Sequence, residues 1–294
     1  MERFGFTRAS SIAEAVLLLN EPGIRSCPLA GGTDLMLVTR HNPSYCDRVV
    51  DITQIQALHN IQQTDDFVTI GAAATFSEVI ENQLIAQTAP VLVQACQQVG
   101  AVQVRNMGTL GGNVSNAAAC ADSLPALVSL DAVAKVVTPL GETDWLVSDL
   151  VLGPNRTQIP SGGLLVSFRY RVPQAGSRSV FLKLGRRNAM AISRLTIAAI
   201  GRTDEEGRIV EARFVPGSAT PRICHFKSVE DCLTGNIPSM ELYQEAAHCA
   251  VEEMALFAGR RWSSEFKEPT LVAMTIRALI KIFGSDTNVD RRQA

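Results

Sequence analysis

Two pairs of adjacent glycines constrain this chain more than any other feature. The first stands in Leu29-Ala30-Gly31-Gly32-Thr33-Asp34, between a short apolar run at Cys27 to Ala30 and a helical pattern over Leu35 to Val38. Adjacent glycines allow positive φ and leave room for close approach, while the following helix start offers unpaired N–H groups and a positive dipole end. Those are the requirements for gripping a phosphate. A tight strand-to-helix turn needs the same glycines, so the fragment alone fits both. It is not the G-x-G-x-x-G of a Rossmann site. A carboxylate aimed at a pyrophosphate would repel it, so Asp34 is expected to cap the helix or to turn away.

The second pair lies in Arg105-Asn106-Met107-Gly108-Thr109-Leu110-Gly111-Gly112-Asn113-Val114-Ser115-Asn116, with Ala121-Asp122-Ser123-Leu124-Pro125 close behind. This stretch is poor in packing side chains and rich in hydroxyls and amides. It reads as a long loop, and loops longer than about 12 residues are uncommon in compact domains unless they have a job. Two such segments in one chain point to a phosphate-bearing ligand.

The rest of the chain supports a core around them. Hydrophobic residues make up 46% and charged residues 19% of the 294, enough apolar surface for two or three compact units. Ser10 or Ser11 can cap a helix with Ile12, Ala15, Val16 and Leu19 at helical spacing, and Thr75 with Glu78 has capping-box spacing. Runs at 48–52, 67–71, 132–137, 163–170, 179–183, 195–200 and 209–214 read as strands, and 90–99, 240–257 and 268–283 as helices. Pro173-Gln174-Ala175-Gly176 punctuates the chain as a boundary, and 285–294 reads as a flexible polar tail.

The charge balance of 27 Lys+Arg against 29 Asp+Glu favours no polyanion, so no nucleic-acid partner is expected. No apolar run is long enough to span a bilayer and no secretory signal opens the chain, so a soluble, cytoplasmic protein is expected. Cys27, Cys46, Cys96, Cys120, Cys224, Cys232 and Cys249 form no C-x-x-C pair, and His41, His59, His225 and His248 are equally scattered. They read as reduced, mostly buried thiols and as no metal site.

Taken together, Leu29 to Asp34, Arg105-Asn106, Thr109 to Asn113, Asp122, Leu164-Leu165 and Lys183-Leu184-Gly185-Arg186-Arg187 resemble the flavin subunit of the xanthine dehydrogenase and carbon monoxide dehydrogenase family of molybdenum hydroxylases. The resemblance runs over nearly the whole chain. It implies that Leu29, Ala30, Gly31, Gly32, Thr33, Asp34 and Leu35 hold the FAD pyrophosphate, and that Thr109, Leu110, Gly111, Gly112 and Asn113 surround the phosphates and ribityl chain. By the same analogy Asp122 accepts from FAD hydroxyls, Leu165 packs on the isoalloxazine, Lys183 stands near the ring, and Val99 and Gly100 lie near the cofactor. A cation there would favour the charge of a reduced flavin. Read from the residues alone, Asp122 could instead cap the helix that follows and Lys183 could be an ordinary solvated lysine, while Arg186 and Arg187 read as surface or interface charges rather than flavin contacts. No side chain stands out as a catalytic acid or base.

The implied fold is α+β: a two-subdomain FAD-binding domain of the vanillyl-alcohol oxidase type (1–56 and 57–175), then a C-terminal domain of antiparallel sheet and helices (176–284). The implied function is electron transfer from a 2Fe-2S cluster to NAD+ or another acceptor. The cluster and the molybdopterin are then expected on separate iron-sulfur and molybdopterin-binding chains, and the choice of organic substrate falls to the molybdenum chain. One departure is Val215-Pro216-Gly217-Ser218-Ala219-Thr220-Pro221, shorter than the family's loop and with an extra proline, which puts a docking role for it in doubt. A self-sufficient FAD-dependent reductase of the same fold superfamily, and a scaffold subunit without FAD, are the alternatives.

Overall fold

A computed structural model describes residues 4–187, 189–260 and 263–284. The tail at 285–294 lies outside them. The chain opens with β1 (Gly5–Arg8), α1 (Ile12–Leu19), β2 (Ser26–Leu29), α2 (Leu35–His41) and β3 (Arg48–Asp51), whose strands form a parallel sheet in the order β1-β3-β2. The Ser11 hydroxyl caps α1 by accepting from the Glu14 amide at 3.2 Å. Ala15, Val16 and Leu19 then face inward with Val50 and Ile52.

A 3-10 turn (Gln56–Leu58) leads into an antiparallel sheet that wraps a cluster of short helices. Its first strands are β4 (Ile61–Thr64) and β5 (Phe67–Gly71). The helices are α3 (Phe76–Glu81), α4 (Gln83–Thr88), α5 (Pro90–Gln97), α6 (Val102–Met107), α7 (Leu110–Asn116) and α8 (Ser123–Ser129). β6 (Val133–Thr138), β7 (Gly141–Leu146), α9 (Val147–Leu150), β8 (Val151–Gly153), β9 (Arg156–Thr157) and β10 (Leu164–Arg171) follow. The sheet order is β4-β5-β10-β6-β7, with Phe168 and Tyr170 wholly buried against the helices. Both halves of the Thr75–Glu78 capping box form at the head of α3.

Beyond residue 175, β11 (Arg178–Leu184), β12 (Leu195–Thr203) and β13 (Ile209–Gly217) make an antiparallel meander. α10 (Lys227–Leu233), α11 (Met240–Ala258) and α12 (Ser264–Phe283) cover it through Val229, Leu233, Tyr243, Ala246, Leu271 and Leu279. The other face sends Phe181, Ala198, Ile200 and Val215 into the core built on β5 and β10.

All of α8 is buried and is gripped at both ends by this last sheet. Asp122, just before it, meets Lys183 of β11; the Val128 and Ser129 carbonyls at its far end accept from His225 and Arg213. Cations at a helix C-terminus answer its unpaired carbonyls.

Two sequence expectations need correction. The stretch from 108 is not a long loop: Thr109 caps the helix α7, its Oγ1 accepting from Gly112 N at 3.0 Å. Two glycines disfavour a helix, but the amides of Leu110 and Gly111 bond to the Ala74 and Ala72 carbonyls at 2.9 and 2.8 Å, so tertiary contacts override propensity. Nor are most thiols fully buried. Cys46 and Cys96 are, while the other five cysteines are partly exposed.

Candidate FAD site

The two glycine pairs face each other. Gly31 lies against the backbone of Met107, at the end of α6, so closely that a Cβ on it would sit 1.9 Å from the Met107 carbonyl oxygen. Gly111 lies equally tight on Ala72, where a Cβ would fall 2.6 Å from the Ala72 oxygen. Gly32 adopts φ +68°, a left-handed conformation that favours glycine. Part of what these glycines do is therefore let two chain segments approach each other.

Between the segments opens a cleft of about 370 Å³, in the range of cofactor sites. Ala30, Gly31, Gly32, Thr33, Asp34 and Leu35 line one side, and Thr109, Gly111, Gly112 and Asn113 the other. Leu165 stands in its wall with Leu164 beside it. The chain-distant Tyr45, Phe76, Thr157 and Ile159 also line it, as do Ser115 and Asn116. No local signal marks Tyr45, Phe76, Thr157 or Ile159, because they arrive from other elements; Ser115 and Asn116 belong to the hydroxyl- and amide-rich stretch visible in the sequence.

The donor set of the first segment is specific. Among the described residues, none accepts a hydrogen bond from the amides of Gly31, Gly32, Thr33 or Asp34. Consecutive free amides at a helix start are what a diphosphate needs. Asp34 stands at the N-cap of α2 without capping it through its side chain and is exposed. On the second segment the amides of Leu110, Gly111 and Gly112 are engaged within the protein, so it offers the Thr109 hydroxyl and the Asn113, Ser115 and Asn116 side chains. Leu35, Val38, Ile159 and Leu165 supply apolar wall suited to a ring system. The residues present fit FAD.

Six expected residues stand outside the lining. Leu29 closes β2 beneath Gly32, and Leu110 is buried in the core. The carbonyls of Val99 and Gly100 are held by Arg105 Nη1 at 3.0 and 3.2 Å. Asp122 and Lys183 form a buried ion pair, 2.6 Å apart with side chains 5% and 7% exposed. Lys183 also donates to the Gln98 carbonyl at 2.9 Å. Burial pushes the Asp122 carboxyl up, and its bonds to Lys183 and Ser193 offset part of that rise. Lys183 is thus no solvated lysine, and Asp122 makes no side-chain cap on α8. The Ser193 hydroxyl, absent from any sequence expectation, donates to the second oxygen of Asp122 at 2.5 Å.

Residues 2–175 match the family described as the FAD binding domain in molybdopterin dehydrogenase. The chain belongs to this family. Residues 180–282 match the CO dehydrogenase flavoprotein C-terminal domain. Relatives include the xanthine dehydrogenase FAD-binding subunit of Escherichia coli O157:H7, 28% identical over 93% of this chain and 94% of that one. The nicotinate dehydrogenase FAD-subunit of Eubacterium barkeri is 29% identical over 87% of this chain and 88% of its own length. The structure of reconstituted CO dehydrogenase from Oligotropha carboxidovorans superposes with a TM-score of 0.88, at 25% identity, over 95% of this chain and 97% of that chain. In this FAD-binding-domain chain, one cleft carries the unengaged amides of residues 31 to 34 and an apolar wall of Leu35, Val38, Ile159 and Leu165.

Proposed function

We propose that this protein is the FAD-binding electron-transfer subunit of a multi-subunit molybdenum hydroxylase, working in the cytoplasm beside an iron-sulfur chain and a molybdopterin-binding chain. The observation that carries it is the row of free amides at Gly31 to Asp34, facing Thr109 and Asn113 across one cleft. Bound FAD would supply the redox chemistry, taking electrons from a 2Fe-2S cluster and passing them to NAD+ or another acceptor. The chain's own residues do the positioning. The amides of 31 to 34 bind the diphosphate, and Thr109, Asn113, Ser115 and Asn116 hold the polar chain. Leu165 and its apolar neighbours exclude water from one face of the ring. Lys183, with Asp122, sets the charge behind the site, and Val99 and Gly100 form the turn beside it.

We assign 1–56 and 57–175 as the two parts enclosing FAD and 176–284 as the part that carries Lys183 to them. Support for a subunit rather than a self-sufficient reductase comes from the lining of the cleft. A reductase needs a proton donor beside its substrate, and the ionisable side chains there are Cys27, Asp34 and Tyr45. Burial pushes the Cys27 thiol up to about 11, far from the range of an acid working near neutrality. No helix among the described residues is long and apolar enough to cross a membrane.

The test is purification of the tagged full chain from its own cells, with metal and flavin analysis and mass spectrometry of what accompanies it. Iron, molybdenum and FAD should come with two further chains. A lone chain that turns over NAD(P)H with an organic acceptor by itself would contradict the proposal.

A further inference from the structure

We infer that Ser193 is a positioning residue of the flavin site: it fixes the carboxylate of Asp122 and, through it, the ammonium of Lys183. The inference rests on the flavin reading of the cleft and adds to it a residue with no assigned role.

Lys183 lies in β11 and Ser193 just before β12, on the two arms of one hairpin. The Arg194 amide closes its base on the Leu184 carbonyl at 2.8 Å. Within it Gly185 packs on Ala191, where a Cβ would come within 2.4 Å of the Ala191 Cβ. The hairpin thus carries its two donors as a fixed pair. Each takes a different oxygen of Asp122, Lys183 the Oδ2 at 2.6 Å and Ser193 the Oδ1 at 2.5 Å. Ser193 is 6% exposed.

From Asp122 the connection to the cleft is short. The next residue, Ser123, donates to the Asn113 Oδ1 at 2.6 Å, and Asn113 lines the cleft. Asp122 thus stands one residue from a direct hydrogen-bond partner of the cleft-lining Asn113.

Few of the groups around the carboxylate favour its ionised form. Besides Lys183 from β11 and Ser193 from the hairpin, it faces Cys96 of α5 and Cys120 of the turn before α8. Asp34, at the head of α2, also bears on Cys120. Both thiols are raised by burial, so neither supplies charge to the cluster near neutral pH. A buried carboxylate that loses a donor protonates at higher pH. Once protonated, it no longer balances Lys183, and a buried cation stands unpaired behind the cleft.

The experiment titrates FAD into the flavin-stripped full chain, followed by flavin fluorescence, at a series of pH values running from neutral into the acid range, because burial raises the carboxyl of Asp122. It compares wild type, Ser193→Ala and Ser193→Thr. The acid limb of the affinity profile should lie at higher pH in Ser193→Ala, with binding about tenfold weaker on that limb. Ser193→Thr, which keeps the hydroxyl, should restore the wild-type curve. If the alanine protein does not fold, Ser193→Cys, a much weaker donor, makes the same comparison. A variant curve superimposed on wild type overturns the inference, and so does an equal loss at every pH, which marks a packing role alone. Wild type without FAD affinity at any pH contradicts the flavin reading itself, and is told apart because it shows in the unmutated chain.

Discussion

Gly31 touches the backbone of Met107 with no space for a side chain, a Cβ there falling 1.9 Å from the Met107 oxygen and 2.6 Å from its carbonyl carbon. The approach joins the parallel sheet of the first unit to the helices of the second, and the cleft exists because of it. Gly31→Ala must push these segments apart. A destabilisation of about 1–3 kcal/mol is expected from the overpacking, with loss of FAD binding. Urea unfolding and a flavin titration of the same sample measure both.

Gly111 and Gly112 separate folding from binding. A Cβ on Gly111 meets Ala72 backbone at 2.6 Å, so substitution there damages the fold first. A Cβ on Gly112 meets only the Thr109 hydroxyl at 2.9 Å, and Gly112 lines the cleft. Gly112→Val is therefore expected to stay within about 1 kcal/mol of wild-type stability while lowering FAD affinity, since the helix-propensity gain over glycine offsets the crowding. Thermal melts beside FAD titrations check it.

Lys183 and Asp122 are too deeply buried for either to lose its partner cheaply. Lys183→Met leaves an isolated buried carboxylate, at an expected cost of about 3–5 kcal/mol. The double replacement Lys183→Met with Asp122→Leu should cost markedly less than the two single changes summed. A double-mutant cycle in urea measures the coupling.

His225 gives stability its pH dependence at the far end of α8. Burial alone would lower its pKa, but hydrogen bonds to Asp131 and Glu230, at 3.0 and 2.6 Å, outweigh that and push it up to about 9. A folded pKa above the unfolded value near 6.5 means that the stabilisation is complete below about pH 6.5 and is lost as pH rises through about 9. The full effect is on the order of 3 kcal/mol. Unfolding midpoints should fall across that window in wild type, and the fall should flatten in His225→Gln.

What the sequence disclosed was whatever local chemistry controls. The Ser11 and Thr75 caps and the long α11 and α12 follow from capping and period, and both glycine segments, visible as contiguous stretches, line one cleft. Where tertiary contacts decide, it misled. Leu110 to Asn116 reads as loop because of its glycines, yet Ala72 and Ala74 supply the carbonyls that fix its first turn as helix. Tyr45, Phe76, Thr157 and Ile159 reach the cleft from distant elements, and Ser193 meets Asp122 across 71 positions of chain. The atypical segment at 215–221 is tied inward. Ser218 donates to the Ala119 carbonyl at 3.0 Å and accepts from Lys267 at 2.6 Å, so it braces the turn that leads to Asp122.

The most direct measurement is the visible absorption spectrum of the gently purified chain, before and after FAD is added and excess is removed. Flavin bands retained at close to one FAD per chain in wild type, and lost in Gly112→Val while the melting curve stays put, are expected. A folded wild-type chain that retains no flavin after FAD addition would contradict the central claim that the two glycine segments hold one flavin dinucleotide between them.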